Sequence, residues 1–177
     1  MKIIAVYVVD CQSQEFMTKN NLSFVSFLNR NSVKELLDAY VLHIVCDLQS
    51  PERKILEHES YIFSCHRIEQ QGCVIVTDHE YPTRVSFNIL TNVFQDTSQQ
   101  HLQAIIEQYQ DPRCIDKLTR IQNQLDETLV VMHENITLVL ERGQNIDELV
   151  ASSERLSQQS KMFYKVARQH NRCCIIC

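Results

Sequence analysis

A seven-residue repeat of apolar side chains runs through residues 118–170 and constrains this chain more than any other feature. Counting in sevens gives two interleaved series. The first is Ile121, Thr128, Asn135, Arg142, Leu149, Leu156, Phe163 and His170, and the second is Leu118, Leu125, Met132, Val139, Ile146, Ser153, Ser160 and Ala167. Alternating steps of three and four place both series on one narrow helical face, the pattern of a coiled coil. Ten of the sixteen positions are apolar, so the repeat predicts one long helix whose seam is buried against other helices.

Arg142 interrupts this seam at its middle. One interpretation is a generic homodimeric coiled coil that tolerates a few polar residues. In a parallel, in-register homodimer, however, Arg142 would face its own copy in a poorly solvated layer, and neither guanidinium would lose its charge. A different partner that offers neutral acceptors, such as glutamine side-chain oxygens, could satisfy the guanidinium donors. Such a layer costs stability and specifies register, so Arg142 favours a heteromeric assembly.

The N-terminal part predicts an α+β domain in which helices cover an antiparallel sheet. The sequence Ser32-Val33-Lys34-Glu35 has the form of a capping box, which would begin a helix that ends before Pro51. Pro82 suits the first turn of a second helix. The expected strands are 1–9, 22–28, 53–58, 61–67 and 73–78, with a polar loop at 12–21 and a third helix at 102–109. We therefore expect a domain at 1–110, a coiled-coil segment at 114–171 and a tail at 172–177.

Composition excludes several classes of protein. The 177 residues are 44% hydrophobic and 22% charged, which is typical of a globular protein. The net charge of −5 and the lack of a basic face argue against nucleic acid as a partner. No apolar run approaches a spanning helix, and the N-terminus does not resemble a signal peptide, so we expect a cytoplasmic chain. In that compartment the five scattered cysteines are expected to be small hydrophobic side chains rather than disulfides.

The last residues, Cys174-Ile175-Ile176-Cys177, fit the C-a-a-X form in which the first cysteine takes a prenyl chain. Cys173 beside it could take a second lipid, which would convert reversible attachment into stable anchoring. A metal site is a competing interpretation, because His170, Cys173, Cys174 and Cys177 form a possible Cys3His set. Two of these cysteines are adjacent and no glycine lets the backbone wrap around an ion. A cysteine nucleophile would lack a scaffold to orient its base.

Three runs resemble the SNARE motif of R-SNAREs, the vesicle-fusion proteins. They are Leu125-Asp126-Glu127-Thr128, Met132-His133-Glu134-Asn135 and Leu138-Val139-Leu140-Glu141-Arg142-Gly143. The resemblance implies a parallel four-helix bundle with one glutamine-bearing helix from each of the Qa-, Qb- and Qc-SNARE classes. Arg142 would be the zero-layer arginine, and the other fifteen seam residues would form the remaining layers. Folding of the bundle would draw two membranes together.

The run Glu80-Tyr81-Pro82-Thr83-Arg84-Val85-Ser86-Phe87 resembles the longin domain. That likeness implies a profilin-like fold: a five-stranded antiparallel sheet with one helix on one face and two on the other. With the Cys173-Cys174 ending, the whole chain resembles the lipid-anchored longin R-SNAREs of the synaptobrevin-like family, which lack a transmembrane segment. The chain would then serve ER–Golgi, endosomal or vacuolar traffic and cycle between the cytoplasm and the cytoplasmic face of those membranes.

The same resemblance implies partners and modifications. Besides the Q-SNAREs, the partners would be the SNARE disassembly machinery, a prenyltransferase, the palmitoylation machinery and the membrane itself. Cys174 would carry a farnesyl or geranylgeranyl group, and Cys173 a palmitoyl or second prenyl group. Neither a cofactor nor a metal nor a catalytic residue is expected. The lone helix could also fold back on the longin domain, in an autoinhibitory groove that includes Leu36, Leu37, Tyr40 and Val41.

Two other functions compete with an R-SNARE. A prenylated small GTPase would share the size and the cysteine tail, but it needs a glycine-rich phosphate loop, and neither Gly72 nor Gly143 has that context. A longin-type adaptor subunit of a coat or tethering complex would need neither Arg142 nor a lipidated tail.

Overall fold

A computed structural model describes residues 2–58, 61–110, 132–135 and 146–173. Six strands and five α-helices lie in this part of the chain. The strands are β1 (Ile3–Asp10), β2 (Glu15–Asn20), β3 (Glu52–His58), β4 (Tyr61–Ile68), β5 (Gln71–Asp78) and β6 (Met132–Asn135). The helices are α1 (Arg30–Asp47), α2 (Thr83–Gln95), α3 (Gln99–Tyr109), α4 (Ile146–Ser152) and α5 (Gln158–Cys173), and a short 3-10 helix, Phe27–Asn29, leads into α1.

The sheet has the strand order β2-β1-β5-β4-β3-β6. Its first five strands pair in antiparallel fashion, which confirms the predicted five-stranded sheet. The sixth strand was not expected. It comes from the coiled-coil segment and pairs parallel to β3, from Lys54 opposite Met132 to Glu57 opposite Asn135. A segment predicted to be helical therefore covers the open edge of the sheet.

Helices cover both faces of the sheet, as predicted. Helix α1 packs on one face against a core that contains Tyr7, Val9, Phe63 and Val74. Helices α2 and α3 pack on the other face, around Val6 and other residues that point the opposite way. Strands β1, β4 and β5 are buried on both faces because neighbouring residues of a strand point to opposite sides.

The predicted second strand is wrong. It was expected at 22–28, but β2 lies at Glu15–Asn20, inside the segment predicted to be a loop. Strand β2 is the edge strand, so it needs only β1 as a partner and carries mostly polar side chains. In the segment at 22–28, Leu22 is buried while Phe27 and Leu28 are 80% and 77% exposed. The apolar run that predicted a strand is largely a surface loop.

The predicted capping box is also wrong. Helix α1 begins at Arg30, directly after the 3-10 helix, so Ser32 lies inside its first turn and is buried. Glu35 does not reach back to Ser32. Its carboxylate instead accepts a hydrogen bond from the backbone N–H of Ser157, in the C-terminal segment. The Ser-x-x-Glu spacing is that of a capping box, but Glu35 hydrogen-bonds to the start of another helix.

Gly72 is the second residue of β5. A Cβ atom at this position would come within 2.0 Å of Val45 Cγ1. Helix α1 can therefore approach the sheet only because residue 72 has no side chain. The turn between β4 and β5 is formed by Glu69 and Gln70, and the φ of Glu69 is 53°.

Candidate functional site

The described part of the predicted coiled coil is not one helix. Residues 132–135 form β6, and helices α4 and α5 are separated by residues 153–157. An apolar seam without partner helices has to bury itself against another surface, because a lone helix in water gains little from its propensity alone. Here the longin-like domain supplies that surface. The break at residues 153–157 lets α4 and α5 both pack against it.

The seam that the repeat predicts is the face that α4 and α5 turn inward. Of its members between residues 146 and 169, Ile146, Leu156 and Ser160 are buried, and Leu149, Ser153, Phe163 and Ala167 are half-buried. Every exposed side chain of this span lies off the seam. Between residues 146 and 169, the residues predicted to meet partner helices therefore pack within the chain.

The predicted groove on α1 receives these residues. Leu36, Leu37 and Tyr40 line a cavity of about 320 Å³ together with Ile146 and Phe163. Val41, the fourth predicted groove residue, does not line the cavity but is buried in the core beside it. The remaining walls are Val33, His58, Tyr61, Phe63, Tyr164, Ala167 and Arg168. The cavity thus lies between α1, the β3–β4 end of the sheet and the C-terminal helices.

Glu35 fixes the start of α5. Its Oε2 accepts the Ser157 N–H at 2.8 Å, while Ser157 Oγ accepts the Ser160 N–H at 3.2 Å. The hydroxyl of Ser157 also donates to Ser160 Oγ at 3.0 Å. Burial alone would raise the pKa of the Glu35 carboxyl, but the hydrogen bonds from Ser157 and Ser160 outweigh it and hold that pKa below its usual value. A carboxylate of α1 and the side chain of Ser157 together cap α5.

Asp147 joins α4 to α5. Its Oδ1 accepts a hydrogen bond from the Tyr164 hydroxyl at 2.9 Å and forms an ion pair with Arg168. In a continuous helix Asp147 and Arg168 would be roughly 30 Å apart along the axis. Both contacts therefore exist only while the two helices fold against each other.

Sequence reasoning missed three residues of this interface. Val150 is buried, and Asp147 and Tyr164 make the contacts just described. Val150 follows Ile146 by four residues, and Tyr164 is adjacent to Phe163, so each widens the seam beyond its two coiled-coil positions. A wider apolar stripe is typical of a helix that packs on a globular domain. The width of this apolar stripe was the sequence signal that could have identified Val150 and Tyr164.

Several predicted site residues lie outside the described residues. They are Leu118, Ile121, Leu125, Thr128, Val139, Arg142 and Cys174. The side chains of Met132, Asn135, His170 and Cys173 also lie outside the description, although their backbones belong to β6 and α5. The zero layer, the two lipidation cysteines and the alternative metal set therefore stay predictions.

Cys65, Cys73 and His66 are buried structural side chains of the sheet. Cys65 and Cys73 are buried, and burial raises the pKa of Cys73 to about 12, so its thiol stays protonated. His66 is buried on β4, and burial together with the Arg53 charge lowers its pKa to about 4. Among the described residues, histidine, cysteine and acidic side chains form no group that could hold a metal ion.

None of the described helices has both the length and the apolar character that crossing a membrane requires. Two family models divide the chain between them. The model of the regulated-SNARE-like domain, or longin, matches residues 13–121. The synaptobrevin model matches residues 117–176, which include the seam, Cys173 and Cys174.

This chain belongs to the synaptobrevin family of longin-type SNAREs. It is 34% identical to synaptobrevin homolog YKT6 of Debaryomyces hansenii, with 92% of this chain and 91% of the relative aligned. Synaptobrevin homolog ykt6 of Schizosaccharomyces pombe is 33% identical, with the same shares aligned. The homolog of Eremothecium gossypii is 31% identical over 99% of this chain and all of the relative.

Membership of the synaptobrevin family makes the chain an R-SNARE that acts in membrane trafficking by interacting with other SNAREs, not an enzyme. The small-GTPase and adaptor interpretations are thereby wrong. In the described residues, helices α4 and α5 of the SNARE segment pack against the longin domain.

Proposed function

We propose that this R-SNARE is stored in a closed state and assembles with Qa-, Qb- and Qc-SNARE helices only after its SNARE segment leaves the longin domain. The observation that supports this is the burial of Ile146, Leu156 and Ser160 against that domain. Because the same seam would have to face the Q-SNARE helices, the closed state and the four-helix bundle exclude each other. The longin domain then acts as an inhibitor of assembly.

In the open state, Arg142 would pack against one glutamine from each Q-SNARE helix. The position of Arg142 in the seven-residue repeat supports this role, since a polar layer inside an apolar seam sets register. The other fifteen seam residues would form the layers on either side. After fusion, the SNARE disassembly machinery would separate the helices and return the chain to its closed state.

The tail would attach the protein to membranes. Prenylation of Cys174 by a prenyltransferase gives weak attachment, and a palmitoyl or second prenyl group on Cys173 makes it stable. The cavity beside α5 is lined mostly by apolar and aromatic side chains and could shelter a lipid chain while the protein is closed. Cycling between the cytoplasm and Golgi, endosomal or vacuolar membranes follows from these two states. The functional units would be 1–110, 114–171 and 172–177.

The test compares the full-length chain with residues 114–172 in assembly with purified Qa, Qb and Qc helices. Circular dichroism should show a gain of helicity with both, and the fragment should react at least tenfold faster because it has no closed state to leave. Equal rates would contradict the inhibitory role of the longin domain. If neither protein gained helicity with any Q-SNARE set, the proposed bundle itself would be wrong.

A further inference from the structure

An exposed apolar surface lies at residues 21–29, which we name the aromatic loop. Phe24 is 42% exposed, and Phe27 and Leu28 are 80% and 77% exposed. These three side chains are close in sequence and point away from the core, unlike Leu22 of the same loop, which is buried. Clusters of exposed apolar side chains mark surfaces that contact another protein or a membrane.

The loop is held in this conformation by its own hydrogen bonds. The Arg30 guanidinium donates to the carbonyl oxygens of Val25 and Ser23, at 3.0 and 3.2 Å. The Val25 N–H donates to the Leu22 carbonyl at 3.0 Å, and the Asn29 N–H donates to the Ser26 carbonyl at 2.9 Å. A surface that is already ordered loses little conformational entropy when it binds.

Two cations lie beside the exposed rings. Lys2 Nζ is 5.6 Å from the centre of the Phe24 ring, and the Arg30 guanidinium carbon is 6.0 Å from the centre of the Phe27 ring. Apolar side chains with flanking cations match the boundary of a bilayer, where acyl chains lie below the phosphate groups. This chemistry favours phospholipid over a purely apolar protein groove.

The loop lies at the same end of the sheet as the route to the cysteine tail. The Asn21 N–H donates to the Ile4 carbonyl, which places the loop at the start of β1, and the Asp78 N–H donates to the Lys2 carbonyl, which places the end of β5 there. Tyr61 pairs with both Asp78 and His58, so β4 starts and β3 ends at this same end.

The last part of α5 reaches this end as well. Ala167 and Arg168 line the cavity together with His58 and Tyr61. Only five residues of helix follow Arg168 before α5 ends at Cys173. The aromatic loop and the Ala167–Arg168 part of α5 therefore lie at the same end of the sheet, so both can face one membrane surface.

We infer that the aromatic loop is a second membrane-contact site, in which Phe24, Phe27 and Leu28 enter the interfacial region of a phospholipid bilayer while Lys2 and Arg30 contact its phosphates. This site goes beyond the lipid tail and the closed state, and it needs neither of them. A contact of this kind is weak alone and adds to the attachment that the tail provides.

The chain contains no tryptophan, so Phe27→Trp introduces a single reporter at the loop. The experiment uses the full-length chain with Cys173→Ser and Cys174→Ser, which carries no lipid and is not mixed with Q-SNAREs. Vesicles of phosphatidylcholine and phosphatidylserine should shift the emission of Phe27→Trp to shorter wavelength, and brominated lipids should quench it. Adding Leu28→Ser should weaken the partition roughly tenfold.

The matched control is Met162→Trp, because Met162 is 66% exposed on α5 and lies eleven residues before the end of that helix at Cys173. Its emission should not change with vesicles. No shift for Phe27→Trp, or an equal shift for both variants, would overturn the inference. In a separate arm, purified Q-SNARE proteins are added to the vesicles, and a shift that appears only there would assign the loop to a protein partner and would overturn the inference as well. Because the vesicle arm omits lipidation and Q-SNAREs, its failure leaves the proposed closed state and bundle unaffected.

Discussion

Asp147 is the residue whose contacts distinguish the closed arrangement most clearly. It bonds the Tyr164 hydroxyl and pairs with Arg168, and neither contact survives in a straight helix. Asp147 itself is not a member of the seam, so its side chain is not needed for a bundle. Its contribution can therefore be removed without touching the layers.

Replacing Asp147 with asparagine should favour opening. The contacts are partly exposed, so their loss should destabilise the closed state by about 1 kcal/mol and speed Q-SNARE assembly roughly fivefold. Stopped-flow circular dichroism measures the rate, and thermal melting of the finished bundle should show no change. The control is Glu148→Gln, an exposed carboxylate one position along, which should assemble at the wild-type rate. A slower rate or a weaker bundle for Asp147→Asn would contradict this role.

The boundary between α4 and α5 is the element that must change on opening. Ser157 caps α5 in the closed state, whereas a continuous SNARE helix needs residues 153–157 to become helical. Residue 158 is therefore the first residue of α5 in the closed state. In the continuous helix of the open state it would lie in the helix interior.

Replacing Gln158 with proline should trap the closed state. Proline is tolerated at the first position of a helix but costs about 3 kcal/mol in a helix interior. Hydrogen exchange should show α5 as well protected as in the wild type, while assembly with Q-SNAREs should slow severely or yield a bundle that melts at lower temperature. Gln158→Ala, which suits both states, should behave as wild type. Normal assembly by Gln158→Pro would show that the helix need not become continuous here.

The elements also show how much the sequence could predict. The repeat identified the buried face of α4 and α5 correctly, because one apolar seam serves either the longin domain or partner helices. It could not show which surface covers that face, because the choice depends on the free energy of packing against the longin domain compared with that of packing against partner helices. Strand β2 was missed because an edge strand needs little apolar content. The loop beside it was mistaken for a strand because its aromatic side chains look like the buried positions of a strand, although in the structure they are exposed.

At the scale of the whole molecule, membrane attachment should depend on the tail first. Replacing Cys174 with serine should remove most of the protein from the membrane fraction of cells, because the aromatic loop alone is a weak contact. Cys173→Ser should retain one lipid and give reversible attachment. Cell fractionation measures the distribution, and mass spectrometry of the C-terminal peptide identifies the lipids. Unchanged membrane association of Cys174→Ser would mean that another feature is the main anchor.

Strand β6 has a further consequence for the molecule as it opens. While the chain is closed, β6 occupies the free edge of β3 from Lys54 to Glu57. Its departure exposes backbone N–H and C=O groups that another chain's strand can pair with, and uncovered edges of this kind promote aggregation. In the proposed closed state, β6 would therefore keep stored molecules from associating with one another, in addition to withholding their helices from premature assembly.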